Sequence, residues 1–259
     1  AVTSRDRVLR SLNFQSVDRP PKDLGAMRST GISAFAYPRL RSALGLPPRL
    51  PRVYDLGQML ALVDIDVLDA LGCDVVTVEG DGVTNAFEQP ELWQPYDFGG
   101  RLSALVRDPS KFRVEPDGTV WWDNRLRMPP AGYVFDCEHG GQPLVLDAEL
   151  PRPNLDEVRR QTAERLLTAE QVARLAATCR RARESTDRAV LLWGPLVCGL
   201  CIHGYGGLAV FPVICLEDPG FVGELHSIML EAALENARRL LPAIAPYVDV
   251  IGVDADDWG

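Results

Sequence analysis

Three unbroken runs of β-branched and other apolar residues constrain this chain more than anything else in it: "CDVVTVEGD" (73–81), "RAVLLWGP" (188–195) and "YVDVIGVD" (247–254). None alternates as a strand with one wet face would, so each reads as a strand buried on both sides. Helical segments stand before and between them. Ser4 can cap a first helix that carries Val8, Leu9 and Leu12 along one side. "AFAYPRLRSALGLPP" and "DLGQMLALVDIDVLDALG" have a helical period, and each closes at a glycine. Asn154 to Glu157 and Thr168 to Gln171 fit capping boxes, and the second helix places Val172, Leu175, Ala176 and Cys179 on one stripe. A long helix follows with Asp218 as cap, Pro219 at its first position and Pro242 at its end. A short extended segment is expected near Asp23 to Met27. Strands alternating with helices predict a parallel α/β sheet with right-handed crossovers. Residues 86–150 differ, being rich in Trp, Pro and Gly, and "RVEPDGTVWWDN" predicts a strand, a turn and a strand within a β-rich excursion.

Composition narrows the partners. The net charge of −9 argues against a nucleic-acid or anionic-membrane surface. No apolar run approaches the ~20 residues of a membrane span, and the N-terminus lacks the apolar core of a signal peptide. Six cysteines without framework spacing suit a reducing compartment. The expectation is a soluble cytoplasmic protein with no nucleic-acid and no membrane partner. Hydrophobic residues at 46% supply a sizeable core for one domain over 1–259.

An open doubly wound sheet or a closed barrel could each follow, and in both the ligand sits at the carboxyl ends of the strands. The polar or small stretches "MRSTG", "EGDG", "WGP" and "DADD" stand at such ends.

The order of "DRVLRSLNFQSVDRPPKDLG", "TGISAFAYPRLRSALGL", "YDLGQMLALVDIDVLDALGCDVVTVEGD" and "DVIGVDADDWG" resembles the uroporphyrinogen decarboxylase-like superfamily from about Ser4 to Gly259. The resemblance is closest to its branch of corrinoid-dependent methyltransferases. It implies a TIM-type (β/α) barrel with an N-terminal helical preamble. Only about four parallel strands can be placed here where such a barrel takes eight, so the barrel is expected to be incomplete at the C-terminus.

Four places carry over. "MRSTGI" resembles the decarboxylase motif "MRQAGR" at Met27, Arg28 and Gly31, where arginines grip the acidic side chains of a porphyrinogen. Ile32 stands where the second arginine would be, and Arg28 also reads as a solvated surface charge. "CDVVTVEGDGV" matches the strand ending in the family's essential aspartate, which falls on Asp81. The resemblance makes Asp81 a pocket carboxylate or acid–base group; between Gly80 and Gly82 it is equally an ordinary turn residue. "LLWGPLVCGLCIHGYGG" matches a pocket loop whose tyrosine falls near Cys201, with His203 and Tyr205 beside it. Cys198, Cys201 and His203 form an incomplete zinc-like set, or small residues packing a helix start, and His203 reads best as a catalytic hydrogen-bonding group. Asp256 and Asp257 are mouth residues or a helix N-cap cluster.

The resemblance therefore implies a methyltransferase moving a methyl group between a small substrate and the cobalt of a corrinoid (cobalamin) presented by a partner protein. Zinc, where used in that branch, takes ligands expected beyond residue 259. A small-molecule substrate and a corrinoid protein are the expected partners, and a homodimer is compatible with the resemblance. Two alternatives stay open: a uroporphyrinogen decarboxylase, disfavoured by the absent second arginine and by net charge, and a non-catalytic barrel that binds a tetrapyrrole or a partner.

Overall fold

Thr3 opens the first helix, α1 (Ser4–Leu12), its hydroxyl accepting the Asp6 N–H at 3.0 Å. A single 3-10 turn at Arg28–Thr30 and the short helix α2 (Tyr37–Ala43) follow. Next comes an antiparallel pair, β1 (Val53–Asp55) and β2 (Leu60–Ala61). Helix α3 (Ile65–Leu71) stops at Gly72, whose φ of +64° is the left-handed conformation that ends helices. The chain then enters β3 (Val75–Glu79). Beyond it, β4 (Gln94–Asp97) pairs with β5 (Ser103–Val106), and β6 (Phe112–Val114), β7 (Val120–Trp122) and β8 (Leu126–Met128) form an antiparallel meander. Phe98 and Phe112 meet edge to face here, with ring centroids 5.3 Å apart. Among the described residues of the β-rich excursion expected over 86–150, these strands are present.

The computed structural model describes residues 2–136, 152–196 and 207–252, with 207–209 as backbone only. In the later part Asn154 caps α4 (Leu155–Glu164), and a reciprocal Thr168–Gln171 capping box opens α5 (Ala169–Ser185). Then come β9 (Ala189–Trp193), α6 (Gly207–Glu217), α7 (Pro219–Ile244) and β10 (Val250–Gly252). Asp218 caps α7 by accepting the Phe221 N–H at 3.1 Å. Pro242 lies inside the last turns of α7 and does not end it.

The three buried runs become one parallel sheet in the order β10-β9-β3. Strand alternation sends Val76, Val78, Val190 and Leu192 to one face, in the same core as Leu175, Cys179 and Ala182 of α5 and Leu240 and Ile244 of α7. The other face carries Val75, Ala189, Leu191 and Trp193 against Val8 of α1 and Ala26. Both faces are covered, which is why the runs show no polar alternation. Burying each of the larger aliphatic side chains contributes about 1.5–3 kcal/mol.

The amino ends of the strands are closed by ion pairs from α1. Asp74, just before β3, has a fully buried side chain and accepts from Arg7 at 2.6 Å, from both terminal nitrogens of Arg19 and from the Lys22 N–H at 2.8 Å. Burial alone would raise this carboxyl, but those hydrogen bonds outweigh it and hold it below the usual carboxylate range. Asp249, just before β10, accepts from Arg5 at 2.7 Å, Arg183 at 2.9 Å and the Val190 N–H at 2.9 Å.

The structure corrects the expected architecture. Among the described residues the chain forms this three-stranded parallel sheet and separate antiparallel sheets, and no closed TIM-type barrel. The fourth parallel strand expected at 23–27 is a turn. The Asp23 carboxylate accepts the Ala26 N–H at 3.2 Å and the Thr30 hydroxyl at 2.6 Å, and Gly25 takes φ +78°. A carboxylate that folds the backbone onto itself leaves no extended ladder to pair with β3. The helix expected over 55–72 is confined to α3. Before it, Asp55 accepts the Gln58 N–H at 2.8 Å and Met59 adopts φ +53°, which makes the β1–β2 connection instead. Among the described residues no helix is long and apolar enough to cross a membrane.

Candidate active site at the carboxyl end of the parallel sheet

Glu79 is the last residue of β3, and its register partner on β9 is Trp193, also the last residue of its strand. Alternation puts both on the face that carries Thr77 and Leu191. The next neighbour across the sheet is Gly252 of β10. A Cβ there would collide with the Trp193 ring, so the glycine is what admits the indole. After β3 the chain turns at once through Gly80 and Gly82; a side chain at Gly80 would come within 2.7 Å of Pro195. The two strand ends can therefore approach closely. Above them lies a cleft of about 500 Å³, lined among others by Arg28, Tyr54, Glu79, Asp81, Trp193 and, from the first two turns of α5, Gln171 and Arg174. That position is where parallel sheets bind ligands, and the size suits a small molecule.

Arg28 is the hub. Its Nε donates to Asp55 Oδ2 at 2.7 Å and its Nη2 to Glu79 Oε2 at 3.0 Å. The guanidinium carbon stands 5.8 Å from the Tyr54 ring centre and 5.4 Å from that of Trp193, within cation–π range of both. Nη1 is buried and has no partner, and neither has the buried Tyr54 hydroxyl. Leaving a buried polar group unsatisfied costs about 1–3 kcal/mol, so this floor is held at an expense that packing alone does not explain.

A carboxylate beside an arginine usually ionises more readily than normal. Glu79 goes the other way, pushed up to about 7. Burial is the largest cause, and the charge of Asp81 adds to it; Arg28 and the Thr77 hydroxyl at 3.4 Å pull against them and lose. Burial and the nearby Glu79 charge raise the Tyr54 phenol as well, so it stays protonated. The floor thus holds a carboxyl group poised to gain or lose a proton near neutrality, the property required of a general acid–base.

Of the residues singled out from sequence, Arg28 and Asp81 line this cleft. Asp81 sits at the rim with its side chain 56% exposed, accepting the Val83 N–H at 3.1 Å and pairing with Arg107. Met27 packs with Val8, Ala26 and Val75 and is not among the cleft-lining residues. His203, Tyr205, Asp256 and Asp257, together with Cys198 and Cys201, lie outside the described residues. Sequence reasoning passed over Glu79, Tyr54, Gln171 and Arg174. Glu79 had a signal, since a carboxylate ending an otherwise apolar buried strand must be placed there against its solvation. Among the described residues no three His, Cys, Asp or Glu side chains gather as a metal-ligand set. The chain matches no known protein-family model, and no curated protein is significantly similar to it.

Proposed function

We propose that the chain is an enzyme, a methyltransferase that moves a methyl group between a small substrate in this cleft and a corrinoid presented by a partner protein. Glu79 serves as its acid–base. The observation that carries the reading is the buried, near-neutral Glu79 carboxyl beside Arg28 at a parallel-sheet carboxyl end. The motif order shared with the uroporphyrinogen decarboxylase-like superfamily supports the choice of reaction within that chemistry.

A cleft of about 500 Å³ suits a small-molecule methyl donor. When bound, the corrinoid would supply a nucleophilic cobalt as the methyl acceptor. The chain's own part is proton management. A methoxy or methylamine donor loses its methyl group far more readily if the departing oxygen or nitrogen carries a proton. Glu79 in its acid form gives that proton to the departing atom as the carbon–heteroatom bond breaks, and is left as a carboxylate facing Arg28. Arg28 steadies the charge that forms, and Asp55 fixes the plane of the guanidinium.

The test is to mix the protein with reduced cobalamin and a panel of methoxy and methylamine compounds, following the cobalt absorption. At least one donor should change the spectrum in a Glu79-dependent way. If none does, or if Glu79→Gln reacts as fast as wild type, the proposal fails.

A further inference from the structure

The polar groups lining the cleft are one-sided. Each carboxylate in the lining already has donors: Glu79 has Arg28 and Thr77, and Asp81 has the Val83 N–H and Arg107. Gln171 gives its amide oxygen to the Thr168 N–H at 2.8 Å in the capping box of α5. Among the described residues, what remains free is a set of donors at two levels. On the floor are Arg28 Nη1 and the Tyr54 hydroxyl, buried beside Glu79. At the rim are the Gln171 amide N–H groups and the Arg174 guanidinium, three residues apart on α5 and so on one side of it. Among the described residues Arg174 forms no ion pair, whereas Arg28, lining the same cleft, is bonded to Asp55 and Glu79. The lining also includes the apolar side chains of Val83, Leu167 and Trp193.

We infer that the substrate carries a carboxylate, received at the rim by Gln171 and Arg174, and that its reacting heteroatom lies on the floor beside Glu79. The inference rests on the acid–base reading of this cleft and adds its specificity. A guanidinium can take a carboxylate through two parallel hydrogen bonds, and the unpaired positive charge at the rim favours an anion over a neutral isostere. The apolar side chains of the lining suit the body of a small aromatic or aliphatic acid.

Benzoate, benzamide and inorganic phosphate serve as probes, titrated by calorimetry into the full chain, wild type and with Arg174→Gln or Gln171→Ala. Both α5 positions are exposed; Gln171→Ala also removes the Thr168 cap partner, so thermal unfolding of each variant is measured alongside. Benzoate should bind at least tenfold more tightly than benzamide. Arg174→Gln should remove most of that preference and Gln171→Ala about threefold of it, with benzamide unaffected by either. The inference is overturned if benzamide binds as well as benzoate, if phosphate binds more tightly than benzoate, if Arg174→Gln leaves benzoate unchanged, or if no probe binds. Methyl transfer is scored separately with 4-methoxybenzoate and reduced cobalamin. Selective benzoate binding without turnover would sink the methyltransferase reading and leave the carboxylate site standing.

Discussion

The two ends of the parallel sheet treat a buried acid in opposite ways. At the amino end, Asp74 receives four hydrogen bonds and is held ionised below its ordinary range. At the carboxyl end, Glu79 receives one good bond from a guanidinium it shares with Asp55 and a long one from Thr77, and its carboxyl rises to about 7. Both side chains are under a tenth exposed, so burial does not separate them. The number of donors does. A saturated carboxylate is a clamp, because its proton affinity has been removed. An undersupplied one keeps its proton affinity and can do chemistry.

Five experiments press on that contrast. The largest effect is expected from Glu79→Gln, which should lower methyl-transfer rate by about 10²–10⁴-fold with an unfolding midpoint at least equal to wild type. A stability loss without a rate loss would make Glu79 a second clamp. Asp74→Ala should do the reverse. It strands Arg7 and Arg19 without their shared partner, at a cost of about 3–5 kcal/mol in urea unfolding, with little change in rate per folded molecule.

The pH dependence of stability separates the ends again. Glu79 ionises at about 7 when folded against an ordinary 4.5, so its contribution is fully present below 4.5 and is lost as pH rises through 7. The loss is roughly 3 kcal/mol, and Glu79→Gln should abolish it. Asp74, lowered from 3.8, behaves oppositely: its contribution is present above that value and is lost as pH falls below it. Stability profiles that leave the Glu79→Gln and wild-type curves parallel would contradict the near-neutral carboxyl.

A smaller effect is expected at Asp55. Asn there removes a negative charge and returns more of Arg28 to Glu79, so both changes favour the ionised form. The pH at which activity falls should drop by about one unit, read from the basic limb of the rate profile; an unmoved limb would show that Asp55 does not share the guanidinium with the reacting group. Asp81→Asn should have the smallest effect. An exposed rim carboxylate changes stability by about 0.5 kcal/mol or less, and the rate loss should stay below about tenfold. A larger loss would place the reacting atoms at the rim and not on the floor.

The frame of the molecule was readable where local and global signals agree. β3, β9 and β10 came from run length and β-branching, and α4, α5 and α7 from their caps. Residues 55–61 defeated the pattern because their apolar spacing fits a helix, while one side-chain hydrogen bond at Asp55 and a left-handed Met59 decide for a hairpin. The Asp23–Ala26 turn is the same kind of event: one carboxylate overrides an apolar stretch. In the site, Arg28 was singled out through the MRSTGI resemblance, although the strand it was expected to follow is a turn. Asp81, flanked by glycines, drew attention from Glu79 two residues earlier, whose importance lies in how few donors reach it. Gln171 and Arg174 look like any exposed helix face until the fold turns that face toward the cleft.

The anchoring of α1 has a consequence for how the molecule is made. Arg5 and Asp249 are 244 residues apart in the chain, a distance that a ribosome adding roughly 5–20 residues per second takes about 10–50 s to cover. A nine-residue helix is too short to persist alone in water. Asp74 emerges early, so Arg7 can tether α1 to β3 first, and the Arg5 contact must wait until β10 has been synthesised and has paired with β9. The Arg5 contact therefore locks only after β10 has formed, well after Arg7 can first hold α1.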